Sequence, residues 1–330
     1  MASTNDLPSV ATEGFRDAQS YDAHRPSYPP EAVEAFLKNM KVTGMSDIRI
    51  LEIASGTGKF TEQLAKRPER FIVKAVEPHE TMRQKLAEKD LPAVEVVNGS
   101  ANKIPVEEEW GDACIAAQVD DPKVPWKSNS GGKHLLTSII GIPLVEYTGS
   151  LSLHVSVLTV VDRFATEDAL REMHRVLRPG AVFGMIWNIE DYNKPKEWEA
   201  STKWEQKLND FVWSLDDGFP RFRHLQWKDV FERQTPGNPL QVVKDTLFDH
   251  LPKFSLPLGE DSVKWTVWLS EDALWSRINT LSQVAVLQGQ ERENAVKLFK
   301  DVLDGDDVER NGKGEIAVHG VTYFAWTDRI

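Results

Sequence analysis

The eleven residues ILEIASGTGKF, 50–60, constrain this chain more than any other stretch. An apolar run reads as a buried strand, passes through Gly56-x-Gly58, and continues directly into a segment with helical spacing. Glycine there lets the backbone approach a ligand and take dihedrals other residues resist, and a helix start presents unpaired N–H groups. Glu77 stands nineteen residues after Gly58, at the end of the next apolar run. A carboxylate at that place accepts both hydroxyls of a ribose. Together the two features specify a nucleoside-cofactor site, although glycine also serves in plain turns and a glutamate at a strand end also sits in water. The pattern stops at G-x-G: Thr61 occupies the place where dinucleotide folds carry a third glycine. No G-x-x-x-x-G-K-[ST] occurs either, which excludes a phosphate loop.

The surrounding rhythm fits an α/β fold. Ile48–Ala54, Phe71–Glu77, Ala93–Asn98 and Asp112–Ala117 read as short buried strands, with helical spacing over Thr57–Lys66 and Glu80–Glu88. Strands alternating with helices imply crossovers and a parallel sheet covered on both faces. The rhythm resumes at Thr166, a good N-cap for EDALREMHRVL, which Pro179-Gly180 should stop before the buried strand AVFGMIW. Further on, helical spacing covers Glu197–Leu215, Ser270–Gln288 and Glu291–Leu303. Residues 239–249 look partly extended, and VTYFAW, Val321–Trp326, is expected to return to the sheet. The organisation expected is an N-terminal cap segment over 1–45, a core over 46–190, and a substrate lobe over 191–330. Residues 119–163 interrupt the core with a Gly/Ser-rich half followed by β-branched runs that lack a helical period.

Composition narrows the class. With 39 Lys+Arg against 51 Asp+Glu the net charge is −12, which disfavours a partner held through phosphates. One cysteine, Cys114, excludes an internal disulfide framework and a four-cysteine zinc site. His24, His134 and His154 have no partners at metal spacing, so no metal is expected. Residues 1–20 lack the basic start and apolar run of a secretory signal, and no apolar stretch has the length of a membrane span. These features point to a cytoplasmic protein with neither nucleic acid nor membrane as partner. Of the eleven tryptophans, those at 198, 204, 213, 265, 268 and 275 read as packing in the lobe or as walls of an apolar pocket.

ILEIASGTGKFTEQLA, followed by AVEPHETM, GSANKIP, DACIAAQ and MHRVLRPGAVFGMIWN, resembles the class I S-adenosylmethionine-dependent methyltransferases. More narrowly it resembles their small-molecule branch of trans-aconitate-type and fungal secondary-metabolism enzymes, as does the N-terminal YDAHRPSYPPEAVEAFL. The resemblance implies a Rossmann-like, doubly wound, mostly parallel seven-stranded sheet with a C-terminal helical lobe, and S-adenosyl-L-methionine as cofactor. It implies that Glu52 supports the glycine loop and that Ala54, Ser55, Gly56 and Gly58 face the methionine part. Glu77 would hold the ribose, Pro78 and Met82 would line the adenine, and Ser100 and Ala101 would sit at its edge. Gln118 would end the fourth strand beside the sulfonium, with Tyr21 and Arg25 covering the site. Met82 as plain core, Arg25 as a helix cap and His174 as a packing residue are the structural alternatives.

Two departures stand out. The first family glycine is Ala54 here, and the family's aromatic stretch after the position of Gln118 is replaced by residues 119–163, the pattern returning at Phe164-Ala165-Thr166. That segment reads either as a retained intron translated in frame or as a substrate lid. The activity expected is methyl transfer to a carboxylate or hydroxyl oxygen of a small molecule, with no catalytic residue assigned. The alternative is a non-catalytic cofactor-binding or scaffold protein, which the disrupted stretch motivates.

Overall fold

The computed structural model describes residues 27–118, 165–215, 221–234 and 252–330. Tyr21, Arg25, residues 119–163 and residues 239–249 therefore lie outside the described residues. Seven strands form one sheet: β1 (Arg49–Ile53), β2 (Ile72–Val76), β3 (Val94–Val97), β4 (Gly111–Ala117), β5 (Leu177–Glu190), β6 (Gly259–Leu269) and β7 (Ile316–Asp328). Their order is β3-β2-β1-β4-β5-β7-β6. The pairings from β3 to β5 are parallel, and β7 alone runs against its neighbours. This is the doubly wound, mostly parallel sheet of the Rossmann-like class.

The helices are α1 (Pro30–Asn39), α2 (Lys59–Ala65), α3 (Glu80–Ala87), α4 (Glu167–Val176), α5 (Lys203–Ser214), α6 (Asp229–Glu232), α7 (Glu271–Ile278), α8 (Ser282–Ala285) and α9 (Gly289–Leu303). Successive strand residues point to opposite faces, and here both faces are apolar. Leu51, Ile53, Cys114, Ala116, Phe183 and Met185 pack with Leu170, Met173 and Val176 of α4. Ile50, Ala113, Ile115, Val182 and Ile186 pack with Phe36 and Leu37 of α1 and Phe60 and Leu64 of α2. α1 comes so close to the sheet that a Cβ on Gly184 would lie 2.5 Å from Met40 Sδ. A third cluster joins Trp204 and Leu208 of α5 to Leu274, Phe299, Ile316 and Val318, all within the stretch expected as the lobe.

Several boundaries differ from expectation. Thr166 does cap α4, its hydroxyl accepting from Ala169 N at 3.1 Å. The helix nevertheless ends at Val176, before Pro179-Gly180, because Leu177 already pairs with Gly111. A bulge between that rung and Ala113↔Val182 absorbs the intervening residues, with Gly180 at φ +74°. The segment 270–288 is two helices, α7 and α8, and α5 starts at Lys203 rather than at 197. Trp265 and Trp268 belong to β6, an edge strand the apolar pattern did not mark, and Trp268 is 39% exposed. His174 is a packing residue: its ring meets Phe254 edge-on and its Nε2 lies 3.0 Å from the Ile330 carbonyl. No helix among the described residues is long and apolar enough to cross a membrane.

Candidate functional site

Parallel strands leave their connecting loops at one edge of the sheet, and the loops after β1, β2 and β3 meet there. Ala54, Gly56 and Gly58 all adopt positive φ, at 55°, 56° and 86°. Glycine takes such angles freely, whereas Ala54 does so against its own Cβ. The turn closes by a bond from Gly58 N to Ser55 O at 2.8 Å, and α2 starts immediately after it. Ser55 N reaches across to Val76 O at 3.2 Å, and Glu77 N reaches Val97 O at 3.0 Å.

Glu77 ties these loops together. Its Oε2 accepts from Gly56 N at 2.9 Å and its Oε1 from His79 N at 2.8 Å. Only 4% of the residue is exposed. Burial pushes its carboxyl above the usual range, opposed by the two N–H groups and by the charge of Arg83. Arg83 in turn donates to the carbonyls of Glu77 and Pro78. Each carboxylate oxygen has a second acceptor direction, so the two backbone bonds fix the side chain without exhausting it.

Space remains beside this carboxylate. A Cβ built on Gly56 would meet only Met82 Sδ at 3.9 Å and Ala54 O at 4.0 Å, which leaves a cradle between the loop and α3. Met82 is 6% exposed and therefore mostly core, with its sulfur toward that cradle. Ser55 Oγ is buried and has no hydrogen-bond partner among the described residues. Pro78 and Ser100 are half-buried, whereas the Ala101 side chain packs in the core with Ile104 and Val106. Only the backbone of Ala101 remains for a ligand's edge.

Glu52 is wholly buried beneath the loop, and its carboxylate faces the hydroxyl and backbone N–H of Thr61 in α2. Complete burial pushes its pKa up to about 8, with Thr61 as the main opposing influence.

Gln118 follows directly on the last residue of β4. At φ 56° it turns the chain out of β4, and its N donates to Ile186 O at 2.8 Å. Its amide lies along β5, Oε1 accepting from Asn188 N at 2.8 Å and Nε2 donating to Asn188 O at 3.3 Å. The side chain thus adds one more rung to the β4–β5 ladder. Thr322 Oγ1 donates to Asn188 Oδ1 at 2.6 Å, which extends the polar chain to β7. His79, Asn188 and Thr322 escaped the reading of the sequence. A weak signal existed for two of them: His79 follows Glu77-Pro78, and Asn188 directly ends AVFGMIW.

Residues 50–125 match the family model described as a methyltransferase domain. The chain is 27% identical over 232 residues to an uncharacterised methyltransferase-like protein of Schizosaccharomyces pombe, covering 70% of this chain and 68% of that one. It is 24% identical over 295 residues to an uncharacterised methyltransferase of Mycobacterium bovis, covering 89% and 87%. The YcgJ protein of Bacillus subtilis, a solved structure, aligns with a TM-score of 0.46 at 13% identity over 91% of this chain and 98% of that one.

Proposed function

We propose that the chain transfers a methyl group from S-adenosylmethionine to an oxygen, carboxylate or hydroxyl, of a small-molecule acceptor. The observation that carries this reading is the lock of Glu77 on Gly56 N and His79 N beside the open face of Gly56. The matched methyltransferase domain spans the same loops. The donor set fits this cofactor. A pre-fixed carboxylate with spare acceptor directions suits two ribose hydroxyls, the orphaned Ser55 Oγ suits a polar group at the loop, and the cradle beside Met82 suits an adenosine.

Ala54, Ser55, Gly56 and Gly58 would hold the amino-acid end, Glu77 the ribose, Pro78 and Met82 the adenine face, and Ser100 with the Ala101 backbone its edge. Bound there, S-adenosylmethionine supplies a methyl group on a positively charged sulfur, already activated for displacement. The chain's share is then to align donor and acceptor and to exclude water. Glu77 contributes by being held in place before the ligand arrives, so little rotamer freedom is lost on binding. Gln118 and Asn188 contribute stiffness: their paired amides hold the carboxyl ends of β4 and β5 together, where ligands of such sheets bind. A carboxylate acceptor needs no general base, whereas a hydroxyl must lose its proton during transfer.

Isothermal titration with S-adenosylmethionine, followed by labelled-methyl transfer to a panel of carboxylic acids, phenols and amines, tests the reading. Binding with transfer to an oxygen is the expected result. Transfer to nitrogen alone would refute the oxygen assignment, and absence of binding would refute the site.

A further inference from the structure

The lobe meets the sheet at a cavity of about 280 Å³, lined by Asp191, Lys194, Trp198, Lys264, Trp265 and His319 among others. It opens at the same edge of the sheet as the glycine loop: Gly320 pairs with Glu190 at the carboxyl end of β5, and β7 is three strands from β1, about 14 Å across the sheet. His319 is oriented by a buried carboxylate. Glu205 is fully buried; its Oε1 accepts from His319 N at 2.7 Å and its Oε2 lies 3.0 Å from His319 Nδ1. Thr202 Oγ1 donates to the same Oε2 at 2.7 Å. With Nδ1 turned to the carboxylate, Nε2 is the ring atom left to face a ligand, and it has no partner among the described residues.

The other walls are equally defined. Trp198 is fixed by Tyr323 and Phe222, with ring centroids 5.7 and 5.9 Å away. Lys264 pairs with Val321, and Thr266 with His319, so Lys264 and His319 are diagonal neighbours on one face, about 7–8 Å apart. Lys264 makes no ion pair among the described residues. Lys194 is 1% exposed and donates to Trp198 O at 2.6 Å, which leaves two of its three donors. Asp191 is held by Ser201 N at 2.6 Å, and Glu199 lies exposed beside the cavity. Two carboxylates thus balance two ammonium groups, and a ligand is selected by placement rather than by net field.

We propose that this cavity is a binding site for an aromatic hydroxy acid, its ring against Trp198, its hydroxyl on His319 Nε2, and its carboxylate toward Lys264 and Lys194. A benzene ring with groups at opposite ends bridges the diagonal between Lys264 and His319. The assignment rests on the methyl-transfer reading, for which it names the acceptor class, and is tested without a methyl donor so that the two can fail separately.

The test is calorimetric titration at pH 8 with 4-hydroxybenzoate, benzoate and phenol. The full chain should bind 4-hydroxybenzoate at least tenfold more tightly than either partial ligand. In His319→Leu the two acids should bind alike, and in Lys264→Gln 4-hydroxybenzoate should fall to the level of phenol. Lys264 is exposed on an edge strand, so that variant keeps the fold and decides the matter if loss of His319 unfolds the lobe. Equal binding of benzoate and 4-hydroxybenzoate, no binding at millimolar ligand, or a hydroxyl preference that persists without His319 overturns the assignment.

Discussion

The loops around Gly56 and the lobe around His319 solve one problem, the burial of a carboxylate, in opposite ways. Glu77 is satisfied by backbone N–H groups from its own loop and the neighbouring one, the farther only 21 positions away. Glu205 is satisfied mainly by His319, 114 positions away. A carboxylate held by local backbone is set as soon as the loops form, whereas one held across the fold exists only when sheet and lobe are both in place. The glycines divide likewise. Gly56 is needed for its left-handed dihedral, a Cβ there meeting nothing nearer than 3.9 Å, but Gly320 is needed for close approach, since a Cβ there would lie 2.5 Å from Ile189 O and 2.4 Å from the Trp265 ring.

The sharpest way to break this contrast is Gly320→Ala. The carbonyl it meets is backbone and cannot rotate away, so stability should drop by about 3 kcal/mol in urea unfolding. Affinity for S-adenosylmethionine in the variant that still folds should stay unchanged; a parallel loss would mean that the two regions are one unit.

Glu77→Ala removes the acceptor from Gly56 N and His79 N as well as from the ligand. Cofactor affinity should weaken by about 1–3 kcal/mol in calorimetry. The unfolding midpoint should fall too, because two buried donors lose their partner. An unchanged dissociation constant would remove Glu77 from the site.

Glu52 offers a titration test confined to the loop side. Its carboxyl sits at about 8 when folded against about 4.5 when unfolded. The native state therefore holds the extra proton across that window, and stability should fall as pH rises from about 4.5 to 8. Glu52→Gln should flatten that slope and be more stable at pH 7 by about 1–2 kcal/mol, the lifted charge penalty being partly offset by a buried amide. A slope that survives the substitution would assign it to other groups.

The smallest effect is expected of Ala54→Gly, which relieves a left-handed alanine while loosening the unfolded chain. A net gain of about 0.5–1 kcal/mol should appear in thermal unfolding. A net loss would show that the Ala54 methyl, which packs on the core, outweighs its strain.

The same contrast explains what the sequence made legible. Strands β1 to β4 were readable because each is a short apolar run next to a helix it packs with, and the glycine loop because its chemistry lies within a few consecutive residues. β6 was missed because Gly259–Leu269 opens on Glu-Asp-Ser and carries a lysine, as an edge strand facing water does. That Glu77 spends an acceptor direction on each of two backbone amides, and that Gln118 lies along β5, depends on where loops land rather than on residue type. The Glu205–His319 pair has no sequence signal at all, since nothing in KWEQKL or AVHGVT points from one to the other.

The order of the sheet also dictates an order of assembly during synthesis. Among the described strands β6 pairs with β7 alone, and β7 leaves the ribosome after it. About 60 residues separate the end of β6 from the end of β7, so at about 5–20 residues per second β6 waits roughly 3–12 s for its partner. Through that interval an open strand edge with Trp265 and Trp268 stands unprotected in the nascent chain, and it is there that a holdase chaperone would find the protein most in need of shelter.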